Sequence, residues 1–417
     1  MTMPGADRVA VIVGAGLAGG NAAVTLREGG WPGPIVMLSQ EPGIPFGRPP
    51  LSKTYLRGEE TLDGWLVKPA DWYADNRVEL RTGVRVAGVD TAHKRVVLDG
   101  GETLDYGALV LCTGGRNRAL RVPGSSLKGI HQLRTIAECE AIRRDARPGA
   151  RAVIVGMGFI GSEVASSLRQ MGVKVTTVFN GKAPLATVLG EQVGEVMAAI
   201  HAGHGVTLIA DDQVAGFEGS DHVTRVVTAK GERIDCDLVV AGIGIEPAID
   251  ALDGSQIALE NGILVDEHCR TSVPDVYAAG DVANHLHPVF GRLRVEHFNN
   301  AERQGRAAAR AMLGDPQPYD DIHSFWSDQY DDKIEYIGFA RTWEEIVIRG
   351  SLADRRFLAF YLEQGVIKAA LGLNRGGDPE IDLDGELAAC RGLIRDQVVI
   401  PERSLADDRV DLRSVTA

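Results

Sequence analysis

The feature that most limits what this chain can become is a glycine pattern that occurs twice. Gly14-x-Gly16-x-x-Gly19 sits inside VAVIVGAGLAGGNAAVTLR (Val9–Arg27), and Gly156-x-Gly158-x-x-Gly161 sits inside AVIVGMGFIGSEVASSLR (Ala152–Arg169). Each copy reads as a buried parallel strand, a tight turn and a helix that opens with small residues. Each is followed by a further β-branched run, Ile35–Leu38 and Val173–Phe179. The first glycine of such a loop permits the turn, the second lets a pyrophosphate approach the backbone, and the third lets helix and strand pack closely. The helix N-terminus then offers free N–H groups to the anion. Two purely structural turns would not explain why both copies share this context. Two dinucleotide-binding units are therefore expected.

The rest of the chain supports that plan. Val78–Leu98 reads as a small β-meander, and ALVLCT (Ala108–Thr113) as a buried strand ending at Gly114–Gly115. LVVA (Leu238–Ala241) is its counterpart in the second unit, and VYAA (Val276–Ala279) is a strand end before Gly280–Asp281. Asn300–Ala311 and Leu387–Arg395 read as helices. Runs such as Glu344–Ile348 and Phe357–Leu362 read as strands of a third, α+β domain from about residue 323.

The chain has 417 residues, 44% of them hydrophobic, enough for two or three domains. Its net charge of −13 argues against a general nucleic-acid binder. The five cysteines, Cys112, Cys139, Cys236, Cys269 and Cys390, form no CxxC pair and no zinc-ligand spacing, so no metal is expected. The N-terminus carries no signal-peptide pattern, and no apolar run reaches the ~18 residues of a membrane span. A soluble cytoplasmic protein is expected.

Two dinucleotide sites suggest FAD at the first and a nicotinamide cofactor at the second. The ordered motifs VIVGAGLAG, RPPLSKTYL (48–56), LVLCTGG (109–115), VIVGMGFIGSEVA (153–165), AGIGIEP (241–247), VYAAGDVA (276–283) and FWSDQY (325–330) span nearly the whole chain. In these the sequence resembles the ferredoxin reductase components of bacterial oxygenase systems, within the glutathione-reductase-like flavoproteins. The resemblance implies an α/β fold with two Rossmann-like dinucleotide-binding domains, one for FAD and one for NAD, plus a C-terminal α+β interface domain. It implies an FAD domain from 1–115 and 249–322, an NAD(P) domain from 116–248 and the interface domain from 323–417.

The resemblance also implies site residues. FAD contacts fall at Gly14, Gly16, Ala18, Gly19, Arg48, Lys53, Val86, Arg134, Asp281 and Phe298. Nicotinamide nucleotide contacts fall at Gly156, Gly158, Phe159, Ile160, Gly161 and Glu163. Lys53 and Glu163 are expected to form a pair that tunes the flavin, the cation stabilising negative charge on the reduced ring and the carboxylate orienting it. Trp326 is expected to lie near the isoalloxazine at the partner-facing edge. Read without the resemblance, Lys53 is a solvated lysine, Glu163 a helix-dipole acid, Asp281 a turn-capping residue, Arg134 a surface arginine, and Val86, Phe159, Phe298 and Trp326 core residues.

Two positions depart from the pattern. The second strand of such a fold usually ends in an acid that binds the adenosine ribose. In the first copy Gln40 falls there and Glu41 follows, and either could bind ribose. In the second copy Phe179 falls there, followed by Asn180, Gly181 and Lys182. NADH is expected from family habit, with NADPH left open.

The expected activity is hydride transfer from NADH to FAD, then single electrons to a small iron–sulfur protein, a ferredoxin serving an oxygenase or cytochrome P450. Rubredoxin is the alternative acceptor. A disulfide or peroxide reductase needs a redox cysteine near the flavin, and only the strand residue Cys112 is a candidate. A redox-sensing nucleotide-binding flavoprotein is the non-enzymatic alternative. Arg303, Arg306 and Arg310, at helical spacing, either face an acidic ferredoxin or form a solvated helix face. Monomer and weak dimer are both compatible with the sequence.

Overall fold

Strands buried on both faces need uninterrupted apolar runs, and AVIV, ALVL, AVIV and LVVA supply them. The computed structural model describes residues 7–415. These residues form two units. The first comprises the described residues through Arg48, Leu62–Arg116 and Ile245–Asp321. The second comprises Pro49–Thr61, Asn117–Gly244 and the described residues from Ile322 onward.

In the first unit a five-stranded sheet runs in the order Val78–Thr82, Ile35–Ser39, Ala10–Val13, Ala108–Leu111, Val276–Ala278, with every pair parallel. The helices Leu17–Glu28 and Phe298–Met312 pack together and join the core formed by Ala10, Ile12, Leu26, Trp31, Met37 and Val110. Their approach is close because Gly305 has no side chain: a Cβ there would lie 2.2 Å from the Ala18 carbonyl oxygen. On the other side of the sheet, Val11, Leu38, Leu109 and Leu111 pack with Val96, Leu98 and Ile263.

The expected meander is shifted. Val78–Thr82 pairs in parallel with Ile35–Ser39, and the antiparallel meander is Val86–Asp90, Arg95–Leu98 and Thr103–Asp105. Gly83, at φ +68°, ends the parallel strand and turns the chain out of the sheet. The apolar alternation continues across this break and hides it.

The second unit contains a parallel sheet in the order Thr207–Ile209, Lys174–Val178, Arg151–Val155, Leu238–Ala241, Ile130–His131. Both parallel sheets therefore place the glycine-loop strand third, between its own second strand and the later strand that the sequence pairs with it. Only the fifth strand differs in origin: Val276–Ala278 comes late in the chain, and Ile130–His131 precedes its glycine loop. The same unit holds an antiparallel sheet in the order Ser324–Gln329, Asp332–Gly338, Val366–Leu373, Arg356–Glu363, Glu345–Ser351, packed by the helix Glu386–Arg395. This is the expected α+β segment. No helix among the described residues is long and apolar enough to cross a membrane.

Candidate functional site: two glycine cradles and a buried ion pair

The three glycines of each loop divide their labour in the same way. Gly14 has φ +101°, and a Cβ there would meet the Cys112 carbonyl oxygen at 2.2 Å. Gly156 has φ +92°, with the Gly242 carbonyl oxygen at 2.5 Å. A Cβ at Gly19 would sit 2.0 Å from the Gly14 carbonyl oxygen, and one at Gly161 would sit 2.0 Å from that of Gly156. These four glycines are required by the fold itself. Gly16 and Gly158 are different: a Cβ on either would meet nothing within 4 Å. The space beside each middle glycine is open, and each is the N-cap of a helix without a side-chain cap. Backbone N–H groups at a helix start, facing open space, suit a pyrophosphate. The cradles thus fit the dinucleotides that the sequence implies.

Around the first cradle, Ala18 is buried against the turn that carries Asp281: a Cβ on Gly280 would lie 3.0 Å from the Ala18 Cβ. Asp281 is itself buried. Phe298 opens its helix, meets Trp65 edge-on at 6.0 Å, and lines with Leu17 a cleft of about 300 Å³. Gln40 is exposed, whereas Glu41 accepts a hydrogen bond from Arg48 at 2.7 Å. Val86 begins the meander and is half-buried. Arg134 belongs to the other unit, where its backbone N–H donates to Glu138 at 2.8 Å as part of a helix capping arrangement.

In the second unit, Phe159 and Glu163 lie one turn apart on the helix Phe159–Gln170 and so share a face. They meet alternate residues of the strand Ser324–Gln329, which also share a face. Phe159 contacts Phe325 edge-on at 4.8 Å, and Glu163 Oε1 accepts from the Ser327 hydroxyl at 2.6 Å. Trp326, between these two, belongs to the opposite face of the strand and is half-buried. Ile160 is exposed on the first turn of the helix.

Lys53 Nζ lies 2.7 Å from Glu163 Oε2, with side chains only 12% and 4% exposed. The same oxygen accepts from the Ser52 hydroxyl at 2.5 Å. A carboxylate this deeply buried is tolerable only with a counter-charge and donors on its remaining lone pairs. Lys53, Ser52 and Ser327 provide them. Ser167 in turn donates to the Ser52 carbonyl at 2.7 Å and fixes the short helical turn Pro49–Ser52. The expected Lys53–Glu163 pair is present, and the two serines were missed. Both stand inside the motifs RPPLSKTYL and FWSDQY, yet neither motif shows which carboxylate its serine serves.

At the end of the second strand of the second cradle, Phe179 is buried and its N–H donates to Ile209 at 3.1 Å. Lys182 pairs with Glu191 at 2.7 Å. Cys112 is buried, and burial pushes its thiol up to about 12, far from the thiolate that disulfide chemistry needs. Burial likewise raises Cys139, Cys236 and Cys390 to about 12 and raises Cys269. Arg303 pairs with Asp321, Arg306 with Glu302, and Arg310 with Asp315, so all three have acidic partners on their own chain.

Residues 8–305 match the family described as pyridine nucleotide-disulphide oxidoreductase, and residues 324–416 match the reductase C-terminal family. The chain is 36% identical to a 5,5'-dehydrodivanillate O-demethylase ferredoxin reductase subunit of Sphingobium sp., over 98% of each chain. It is 34% identical to putidaredoxin reductase of Pseudomonas putida, over 98% of this chain and 96% of the other. Among solved structures, the covalent putidaredoxin reductase–putidaredoxin complex matches with a TM-score of 0.93 at 33% identity, covering 98% of both chains.

Proposed function

Because the chain belongs to the pyridine nucleotide-disulphide oxidoreductase family, we propose that it is an FAD-dependent NAD(P)H:ferredoxin reductase whose acceptor is a small iron–sulfur protein serving an oxygenase or cytochrome P450. The observation that carries this reading is the pair of glycine cradles, each with its middle glycine facing open space. FAD, when bound, supplies hydride acceptance and stepwise electron release.

The chain's own residues have separable tasks. Gly14, Gly16, Gly19 and the helix start at Leu17 would hold the FAD pyrophosphate, with Ala18, Gln40, Glu41, Arg48, Val86, Arg134, Asp281 and Phe298 as further contacts. Gly156, Gly158, Phe159, Ile160 and Gly161 would hold the nicotinamide dinucleotide. Lys53, oriented by Glu163 at 2.7 Å, supplies the positive charge that favours the reduced cofactor. Trp326 is assigned to the electron route on the strength of the resemblance. The functional division is 1–115 with 249–322, 116–248 and 323–417. The five free, buried thiols suit a cytoplasmic setting.

Relatives that act on disulfides need a reactive cysteine, and the buried thiols argue against that chemistry. Rubredoxin differs from ferredoxin only as a partner for the same chemistry. Purified protein should be yellow, should bleach on titration with NADH, and should reduce a ferredoxin in steady state. FAD-loaded protein that passes electrons to no one-electron acceptor would overturn the proposal.

A further inference from the structure

Glu163 is the inner end of a longer chain of polar side chains. Ser327 Oγ, which donates to Glu163 Oε1, accepts from Gln329 Nε2 at 3.2 Å. Gln329 Oε1 lies 3.0 Å from His201 Nε2, and His201 Nδ1 lies 3.2 Å from the Tyr330 hydroxyl. Ser327, Gln329 and His201 are fully buried. His201 comes from the helix Glu191–Gly203, which packs its Val193, Met197 and Ile200 into the core beneath the C-terminal sheet.

The chemistry of these groups gives the chain one direction. Burial lowers the His201 pKa to about 4, so the ring is neutral near pH 7 and carries one N–H. Place that hydrogen on Nε2, and it donates to Gln329 Oε1 while Nδ1 accepts from Tyr330. The Gln329 amide then donates to Ser327 Oγ, and the one Ser327 hydrogen is left for Glu163. Place it on Nδ1 instead, and the Gln329 amide must turn its nitrogen towards His201. Its carbonyl oxygen would then face Ser327, whose single hydrogen would have to serve two acceptors. Only the first arrangement gives each donor one acceptor.

We propose that Ser327, Gln329 and His201 are positioning residues for the Lys53–Glu163 pair: a donor chain starting at the His201 ring aims the Ser327 hydroxyl at Glu163 Oε1 and so leaves Oε2 for Lys53 and Ser52. This rests on the reductase reading, because it takes the Lys53 charge as the group that favours the reduced cofactor. It adds that the charge is held in place from the C-terminal sheet and from the helix Glu191–Gly203, by residues that themselves carry no charge.

The test uses the full-length, FAD-loaded protein. Ser327→Ala, Gln329→Met, the conservative Ser327→Thr, and Lys53→Met as reference are compared for flavin midpoint potential, FAD content, melting temperature and rate of anaerobic reduction by NADH. Ser327→Ala and Gln329→Met are expected to keep FAD and to weaken the preference for the reduced cofactor about tenfold. That is a fall of ~30 mV for a two-electron couple. Ser327→Thr, which keeps the hydroxyl, is expected to hold the wild-type potential. If Ser327→Ala fails to fold, Gln329→Met, one step further from the ion pair, carries the test. Wild-type potentials in Ser327→Ala and Gln329→Met beside a shifted Lys53→Met overturn the positioning chain alone. A wild-type potential in Lys53→Met overturns the tuning role of the pair, and the chain with it.

Discussion

Glu163 and Ser327 stand 164 positions apart in the chain and are joined by a 2.6 Å hydrogen bond between buried groups. Lys53 reaches the same carboxylate from a third segment, Pro49–Thr61. A charged pair assembled from three stretches of sequence is sensitive to each of them, and its removal has a definite expected result.

Replacing Lys53 by Met leaves Glu163 buried with two hydroxyl donors and no counter-charge. Reduction of the bound flavin by NADH is expected to slow on the order of 100–1000-fold, the scale of losing one preorganised electrostatic group. Unfolding stability should fall by about 3–5 kcal/mol, the usual cost of removing one partner of a buried ion pair. Stopped-flow absorbance and chemical denaturation measure the two separately. A reduction rate within about twofold of wild type would remove Lys53 from the mechanism.

The glycines predict two different kinds of failure. Gly158→Val adds a side chain to open space in extended backbone, at φ −74° and ψ −171°. It should fold and bind FAD normally but raise KM for NADH at least about tenfold. Gly16→Val should fold and lose FAD. Gly161→Ala, by contrast, drives a Cβ into the Gly156 carbonyl oxygen and should destabilise the fold by about 1–3 kcal/mol or more. Isothermal titration and melting curves distinguish these outcomes. Equal loss of stability in Gly158→Val and Gly161→Ala would contradict the division of roles.

Cys112→Ser should retain reductase activity within about twofold. The thiol is buried and protonated, and Cys112 lies just past the end of the strand Ala108–Leu111, where its backbone carbonyl, not its sulfur, backs Gly14. Steady-state turnover with a one-electron acceptor is the measurement. Loss of turnover with FAD content intact would restore the disulfide-type reading.

His201 also makes stability depend on pH. Its pKa drops from 6.5 in the unfolded chain to about 4 in the fold, so the unfolded state binds the proton more tightly. The contribution is present above pH 6.5 and is lost as pH falls from about 6.5 towards 4, up to about 3 kcal/mol. Burial shifts His297 in the same direction to about 4 and His285 to about 3, which adds to the acid sensitivity. Urea denaturation between pH 4 and pH 7 should show a shallower slope for His201→Asn than for wild type. Parallel slopes would mean that His201 titrates normally.

The parts of this protein legible in its sequence are those set by local rules. Gly14 and Gly156 announce turns at positive φ, and the flanking AVIV runs announce strands buried on both faces. The helix Phe298–Met312 and the C-terminal strands follow from apolar spacing. Lys53 and Glu163 could be paired only through a family resemblance, because nothing local to either residue names the other. Ser52 and Ser327 escaped for the same reason: a serine in a motif has no pattern that shows which buried carboxylate it serves. Nothing local to Lys182 shows that Glu191, from a helix further along, pairs with it. Val78–Thr82 was misplaced because its alternation continues across Gly83, and strand pairing depends on the partner Ile35–Ser39.

The chain passes from one unit to the other at Arg48, Thr61, Arg116, Gly244 and Asp321. The excursion Pro49–Thr61 is the shortest of these passages, yet it carries Ser52 and Lys53. Neither half can therefore be cut out as a continuous gene fragment with its chemistry intact. A clone of the second half starting at Arg151 would lack the lysine and also the strand Ile130–His131 that covers Leu238–Ala241, leaving an apolar edge open to aggregation.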